Sequence, residues 1–456
     1  MLENQLKKAP KHKGHPIFGN TMEFAKGTLS YIEKMINAFP EGIVKSKIAF
    51  RDFYILLKPE YIQQVLVTNN KHYEKSFAYE GLMDFLGKGL LTNEGEFWLN
   101  QRRQIQPAFH KEKIANLANM MIELVESKIE EWERKSQKEL HIQPEMIKLT
   151  KDIISIALFG KENYNKKSSD KITEALAIFR KYANDKMKNP FKPPLFIPTA
   201  ENSKFKKAKK SLQLLIFQNI ENCRKRKDFI SNTILGMFFQ TEEELGKNMT
   251  TSQLYDEIVT IYIAGQETTS NALTFIFYLI ATHPNVEKKL MDELENNELS
   301  DQMDFKTMLN LTYTRYVIME ALRLYPPAWA VSRKCITEDH IDGYKIPKGS
   351  TIFLSVYAMQ RHKEYWDKPN EFIPERFAKE YNKKAYLPFG LGPRICIGNE
   401  FAMLEIQIIV ALILKNFKIS LPNKKLELIT PMTLSPKNQL IFQLEKRNSI
   451  LTKKSN

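Results

Sequence analysis

The chain has 456 residues, 43% of them hydrophobic and 11% aromatic, enough for a deep core with a cavity inside it. Its net charge is +15, but the runs KKAPKHK and KFKKAKK are not interleaved with aromatics and no nucleic-acid module is recognisable. They read as solvated faces, with an acidic protein partner, an anionic cofactor or a membrane surface as the functional alternatives. Three cysteines, Cys223, Cys335 and Cys396, form an odd and unpatterned set that excludes a disulfide framework and suits a reducing compartment.

In chain order, MLENQLKKAPKHKGHPIFGN contains no apolar run, so neither a secretory leader nor an anchor helix is expected, and a cytoplasmic protein without a membrane span is the default. GIVKSKIAF with DFYILLKP, residues 42–59, alternates as strands do. SFAYEGLMDFLGKGLL, residues 76–91, is aromatic and aliphatic with few charges. In FWLNQRRQIQPAFH, Trp98 and Arg102 stand at i and i+4, which puts both on one side of a helix. That side is either a surface helix with a packed indole or a pair of hydrogen-bond donors. NPFKPPLFIPTA, residues 189–200, is rich in proline and reads as a loop.

The strongest helical signal covers 252–282, roughly 45 Å at 1.5 Å per residue. Its centre, GQETTSN, places a carboxylate and hydroxyls where a bilayer core would be least hospitable, so a buried helix with a polar break fits better than a membrane span. Thr268 can bond back to a carbonyl, and small Ala264 and Gly265 leave room for a ligand. Next, EALR sets Glu320 and Arg323 three apart on one helical face, followed by LYPPAW, by extended residues from Arg333, and by PERF with Arg376. Strand signals return in the last forty residues. The composite is a mainly α chain forming one domain over 1–456, with a small β side lobe drawn from about 42–67, 333–356 and the C-terminal region.

LPFGLGPRICIGNEFAMLE holds Cys396 just before an apolar helical pattern. A helix start favours a thiolate through its unpaired N–H groups and dipole. Gly390, Gly392 and Gly398 permit close approach of something flat, and Arg394 suits a carboxylate. A buried structural cysteine is the alternative.

The spacing F-x-x-G-x-R-x-C-x-G, matched by Phe389, Gly392, Arg394, Cys396 and Gly398, resembles the cytochrome P-450 family of haem-thiolate monooxygenases. The resemblance implies the cytochrome P-450 fold, with haem b (iron protoporphyrin IX) between the long central helix and the helix after the cysteine. It makes Cys396 the axial thiolate ligand of the iron. Phe389 would pack on the sulfur side, and Trp98, Arg102, Arg333 and Arg394 would hold the propionates. AGQETT resembles the family's oxygen-activation motif, making Glu267 the acid and Thr268 the hydroxyl of proton delivery. Glu320, Arg323 and Arg376 would form a structural ion network.

The activity implied is insertion of one oxygen atom from O2 into a lipophilic substrate, resembling members that act on fatty acids or on terpenoids and carotenoids. A peroxygenase or isomerase, or a haem-binding protein without catalysis, is the alternative. Phe77, Leu82, Phe85, Ala264, Ala328 and Trp329 are candidate substrate contacts. Electrons would come from separate donors, a ferredoxin or flavodoxin with its reductase, docking on basic residues such as Arg103, Lys111, Lys113, Lys383 and Lys384.

Overall fold

The computed structural model describes residues 7–188, 192–225, 233–297 and 305–447, without the side chains of Met187 and Lys188. The opening and final residues of the chain, and the first three of the proline-rich loop, lie outside the described residues. From 192 to 199 that loop is irregular, as the prolines dictate.

The helices that matter for function are α1 (Gly95–Ile105), α2 (Ile142–Phe159), α3 (Lys166–Lys188), α4 (Ala200–Arg224), α5 (Thr251–Thr282), α6 (Thr312–Leu324) and α7 (Asn399–Asn416). The main sheet uses β1 (Ile43–Ile48), β2 (Arg51–Leu56), β3 (Tyr73–Lys75), β4 (Ala330–Cys335) and β5 (Thr351–Ser355). The chain divides into two compact units. One comprises 1–80, 319–396 and 429–435; the other comprises 81–318, 397–428 and 436–456.

The first unit carries the five-stranded sheet, in the order β1-β2-β5-β4-β3. β1 and β2 form a hairpin with Ile43 opposite Leu56. Its two-residue turn holds Ala49 at φ 48° and Phe50 at φ 61°, the left-handed pair that matches the twist of flanking strands. β2 and β5 run parallel, while β4 is antiparallel to both β5 and β3. The sheet's inner face packs Val44, Ile55 and Phe353 against Tyr31, Ile32 and Met35. Four strands of this sheet lie in or beside the expected stretches 42–67 and 333–356, β3 lies outside them, and the C-terminal strands do not join it. In the second unit Ile441–Lys446 is the central strand of a three-stranded sheet, antiparallel to Glu139–His141 on one side and to Phe417–Ser420 on the other, and its alternate side chains Phe442 and Leu444 are buried.

The first unit also holds an ion network of unusual burial. Glu320 and Arg323 on α6 are both 0% exposed. Arg323 donates to the Glu320 carboxylate through Nε at 2.7 Å and Nη2 at 2.8 Å, a bidentate fork. Arg376 Nε adds a third bond at 2.9 Å, and the Ile373 amide a fourth at 3.0 Å. The remaining Arg323 donors reach the carbonyls of Gln360, Pro369 and Glu371. Both guanidiniums lie over the Trp366 ring.

In the second unit, α5 begins on a complete capping box, Thr250 with Gln253, which satisfies two orphan amides reciprocally. It is unbroken over 32 residues, so the polar centre does not interrupt it. α7 is buried from Met403 to Leu414 around its whole circumference, the pattern of an interior helix. Among the described residues no helix is long and apolar enough to cross a membrane.

Removing the acceptor of the ion network leaves two guanidiniums facing each other without a counter-charge. Glu320→Leu is expected to lose about 3–5 kcal/mol of folding stability in denaturant titration, and a loss under about 1 kcal/mol would show that solvent reaches the cluster.

Candidate active site

In the first unit the loop ahead of Cys396 is built by backbone turns. The Cys396 amide donates to the Phe389 carbonyl at 2.8 Å, Ile395 to Gly392 at 3.0 Å, and Gly390 to Leu387 at 3.0 Å. Gly390 and Gly392 sit at φ 78° and 74°, a region open to glycine. The two glycines differ in purpose. A Cβ at Gly392 would fall 2.1 Å from the Leu66 carbonyl oxygen, so that residue serves backbone packing, whereas nothing lies within 4 Å of one at Gly390. The loop is tied to the ion network by Gln360, whose Oε1 accepts from the Leu387 amide at 2.7 Å while its Nε2 donates to the Leu322 and Arg323 carbonyls.

Cys396 is exposed, whereas Cys223 and Cys335 are buried. Burial pushes the Cys335 thiol up to about 11, an inert structural cysteine. Three residues after Cys396 the chain enters α7, and a Cβ at Gly398 would also meet open space. Phe389 and Arg394 are half-buried in the same loop. Arg333 on β4 is buried and donates to the Ser332 carbonyl at 3.0 Å.

In the second unit Trp98 and Arg102 stand one turn apart on α1, the indole buried and the guanidinium half-buried, with Arg102 Nε donating to Gln106 at 3.2 Å. α5 is buried over most of its length but opens at its centre, where Ala264 is exposed and Glu267 and Thr268 are half-buried. Thr268 donates back to the Ala264 carbonyl at 2.6 Å, the bond expected from the sequence. Gly265 faces the other way: its missing Cβ would lie 3.1 Å from Ile154 of α2, so its smallness admits a helix rather than a ligand.

The six candidate substrate contacts divide. Ala264 and Ala328 are accessible. Phe77 stacks under Arg51 and joins Trp329 at the rim of the first unit's core. Phe85 is fully buried against Phe179, ring centroids 5.3 Å apart, and Leu82 is buried too.

Three residues were not singled out from sequence. Gln360 carries no motif. Arg180 of α3 donates to Glu267 at 3.2 Å, and its signal was an arginine among Phe179, Tyr182 and Ala183 on a helix of mixed character. Glu405 of α7 is 1% exposed, with no hydrogen-bond partner for either oxygen among the described residues. An acid inside the run FAMLEIQIIVALIL was visible in the sequence, but burial was not. The Thr269 hydroxyl on α5 stands beside it without good hydrogen-bond geometry. Burial raises the Glu405 carboxyl well above the ordinary carboxylate range, which favours its neutral form.

The family model for cytochrome P450 matches residues 9–444. The chain belongs to the cytochrome P450 family. Among relatives of this P450, the cyclooctat-9-en-7-ol 5-monooxygenase of Streptomyces melanosporofaciens is 30% identical over 409 residues, 89% of this chain and 88% of that one. A cytokinin hydroxylase of Arabidopsis thaliana is 31% identical over 84% of this chain and 76% of its own length. The crystal structure of the cytochrome P450DA haem domain has the same fold, with a TM-score of 0.87 at 24% identity, covering 97% of this chain and 98% of that chain. The protein is thus a P450 monooxygenase, and its family implies a haem-thiolate cofactor. The residues present fit that group: the accessible thiol is the one in the cysteine loop, the glycines at 390 and 398 leave open space, and indole and guanidinium donors suit carboxylates.

A carboxyl with a raised folded pKa contributes stability fully present below its unfolded value near 4.3, and lost as pH rises toward the folded value. Glu405→Gln keeps the shape without the titration. Its melting temperature relative to the wild type should rise as pH increases above the ordinary carboxylate range; a constant difference would mean that Glu405 ionises normally.

Proposed function

We propose that this P450 inserts one oxygen atom from O2 into a lipophilic substrate, with Cys396 as the axial ligand of haem b. The observation that carries the reading is the opening of α5 at Ala264, Glu267 and Thr268 on a helix otherwise sealed in the core. When bound, the thiolate-ligated haem supplies the oxygen activation itself. The chain supplies positioning and protons. Trp98, Arg102, Arg333 and Arg394 offer charge-assisted donors to the propionates, and Phe389 packs beside the sulfur. The oxygen atom that is not inserted leaves as water, so protons must be delivered. Glu267 accepts them at its carboxylate, and Thr268 holds one at Oγ1 for delivery into the distal space. Arg180, paired with Glu267, orients that carboxylate between deliveries.

The substrate class follows from what is accessible. Ala264 at the opening of α5 is small, apolar and exposed, which suits a bulky hydrocarbon skeleton. The relative that oxidises cyclooctat-9-en-7-ol supports a cyclic terpenoid-like substrate above a fatty acid. Arg103, Lys111, Lys383 and Lys384 are exposed and suit an acidic electron carrier, a ferredoxin or flavodoxin with its reductase, in the cytoplasm. A haem carrier or sensor would have no use for the Glu267–Thr268 pair.

Thr268→Ala removes the hydroxyl and leaves the fold intact. With a terpenoid that shifts the spin state, it is expected to consume reduced nicotinamide at close to the wild-type rate while product falls about ten-fold or more and peroxide rises. Unchanged coupling of electrons to product would rule out Thr268 as the proton-delivering hydroxyl.

A further inference from the structure

Two adjacent acids on α5, Asp256 and Glu257, take no part in the chemistry proposed above, and Glu257 is 0% exposed. Among the described residues their hydrogen-bond donors are backbone amides. Lys88 N–H donates to Asp256 Oδ2 at 2.8 Å, and Leu90 N–H donates to Glu257 Oε2 at 3.0 Å. Glu257 Oε1 is buried without a partner. Burial pushes Glu257 up to about 8 and raises Asp256, each partly offset by the amide it receives. Two acids kept at this cost in one helix turn have to hold something.

What they hold is a turn without side-chain bulk. A Cβ at Gly87 would fall 2.2 Å from Asp256 Oδ1, and one at Gly89 would fall 2.1 Å from Thr260 Oγ1 and 2.8 Å from the Asp256 carbonyl. The turn's carbonyls are taken up from the opposite direction. Gln101 Nε2 donates to the Lys88 carbonyl at 3.2 Å, Asn93 donates to the same oxygen, and Thr92 Oγ1 bonds Gly87 and Gly89 at 2.9 Å and 3.0 Å. Gln101 lies on α1 between Trp98 and Arg102. Just upstream, Lys186 of α3 reaches the Asp84 carboxylate at 2.6 Å, and Lys209 of α4 reaches its carbonyl at 2.8 Å.

The geometry points to Asp256 and Glu257 as positioning residues that set substrate specificity: they clamp the Gly87–Leu90 turn, and with it α1 and the segment 81–91, to the helix that carries Glu267 and Thr268. The inference rests on the haem-monooxygenase reading. Through the clamp, the acids fix how much room a distal ligand has, while touching neither ligand nor cofactor. A glutamine at 257 still accepts from Leu90; a leucine of similar volume does not.

The test is spectral titration of the holoenzyme with imidazole and with bulky 4-phenylimidazole. Glu257→Leu should weaken 4-phenylimidazole by about ten-fold while imidazole stays within about two-fold, and Glu257→Gln should restore the wild-type pair of affinities. Both azoles unchanged in Glu257→Leu, or both weakened equally in Leu and Gln variants, would overturn the clamp. Should Glu257→Leu fail to fold, amide hydrogen exchange on the wild-type holoenzyme decides. Slow exchange at Lys88 and Leu90 supports the clamp; exchange at the rate of an open loop refutes it. A wild-type protein that binds no azole at all yet protects these amides would count against the haem reading and leave the clamp standing.

Discussion

Glu320 is a carboxylate that folding removes entirely from water, and it is affordable only because two guanidiniums and a backbone amide converge on it. Those same guanidiniums spend their other donors on carbonyls at Gln360, Asp367, Pro369 and Glu371, so one charge fixes a long stretch of irregular backbone. Gln360 carries the constraint onward to the Leu387 amide. From there a series of tight turns brings the chain to Cys396. The iron-ligand role proposed for that thiol needs backbone that cannot wander, and irregular backbone has no ladder of its own to hold it. The buried network takes the place of that ladder.

The second unit solves a different problem. α5 has to be stable enough to cross the core and yet offer polar groups at its middle. Capping at Thr250 and apolar packing on both flanks supply the stability, so the centre can give up close packing at Ala264 and let Thr268 bond back to its own helix. The acids along α5 divide accordingly. Glu267 is half-buried beside Arg180, a setting for a group that exchanges protons, while Glu257 is sealed against a glycine turn, a setting for a group that keeps backbone in place. Glu405 stands apart from both as a fully enclosed acid in an apolar helix, its pKa raised by burial.

Much of this could be read from the residues because the chemistry demands fixed types at fixed spacing. The cysteine loop, the Trp98–Arg102 pair and the Glu320–Arg323 pair are local, and a helix or a turn places such residues without help from the rest of the fold. Sheet pairing was less legible. Ile441–Lys446 alternates as a strand should, but nothing in that alternation says that one of its partners is Glu139–His141. Gly265 shows a second limit, since a small residue near a site admits either a ligand or a neighbouring helix, and here Ile154 decides. Arg180, Gln360 and the Asp256–Glu257 clamp make contacts across tens or hundreds of residues, which no local pattern encodes. Phe77 and Phe85 pack on Phe53 and Phe179, contacts that composition does not reveal.

The account stands or falls on the sulfur of Cys396 as the iron ligand. The most direct measurement is the absorption spectrum of the reduced protein with carbon monoxide, recorded for the wild type and for Cys396→Ser. The wild type should show the red-shifted Soret band that a thiolate ligand produces, and the serine variant should lose it while remaining folded. A serine variant that keeps the band would place the ligand elsewhere and contradict the account.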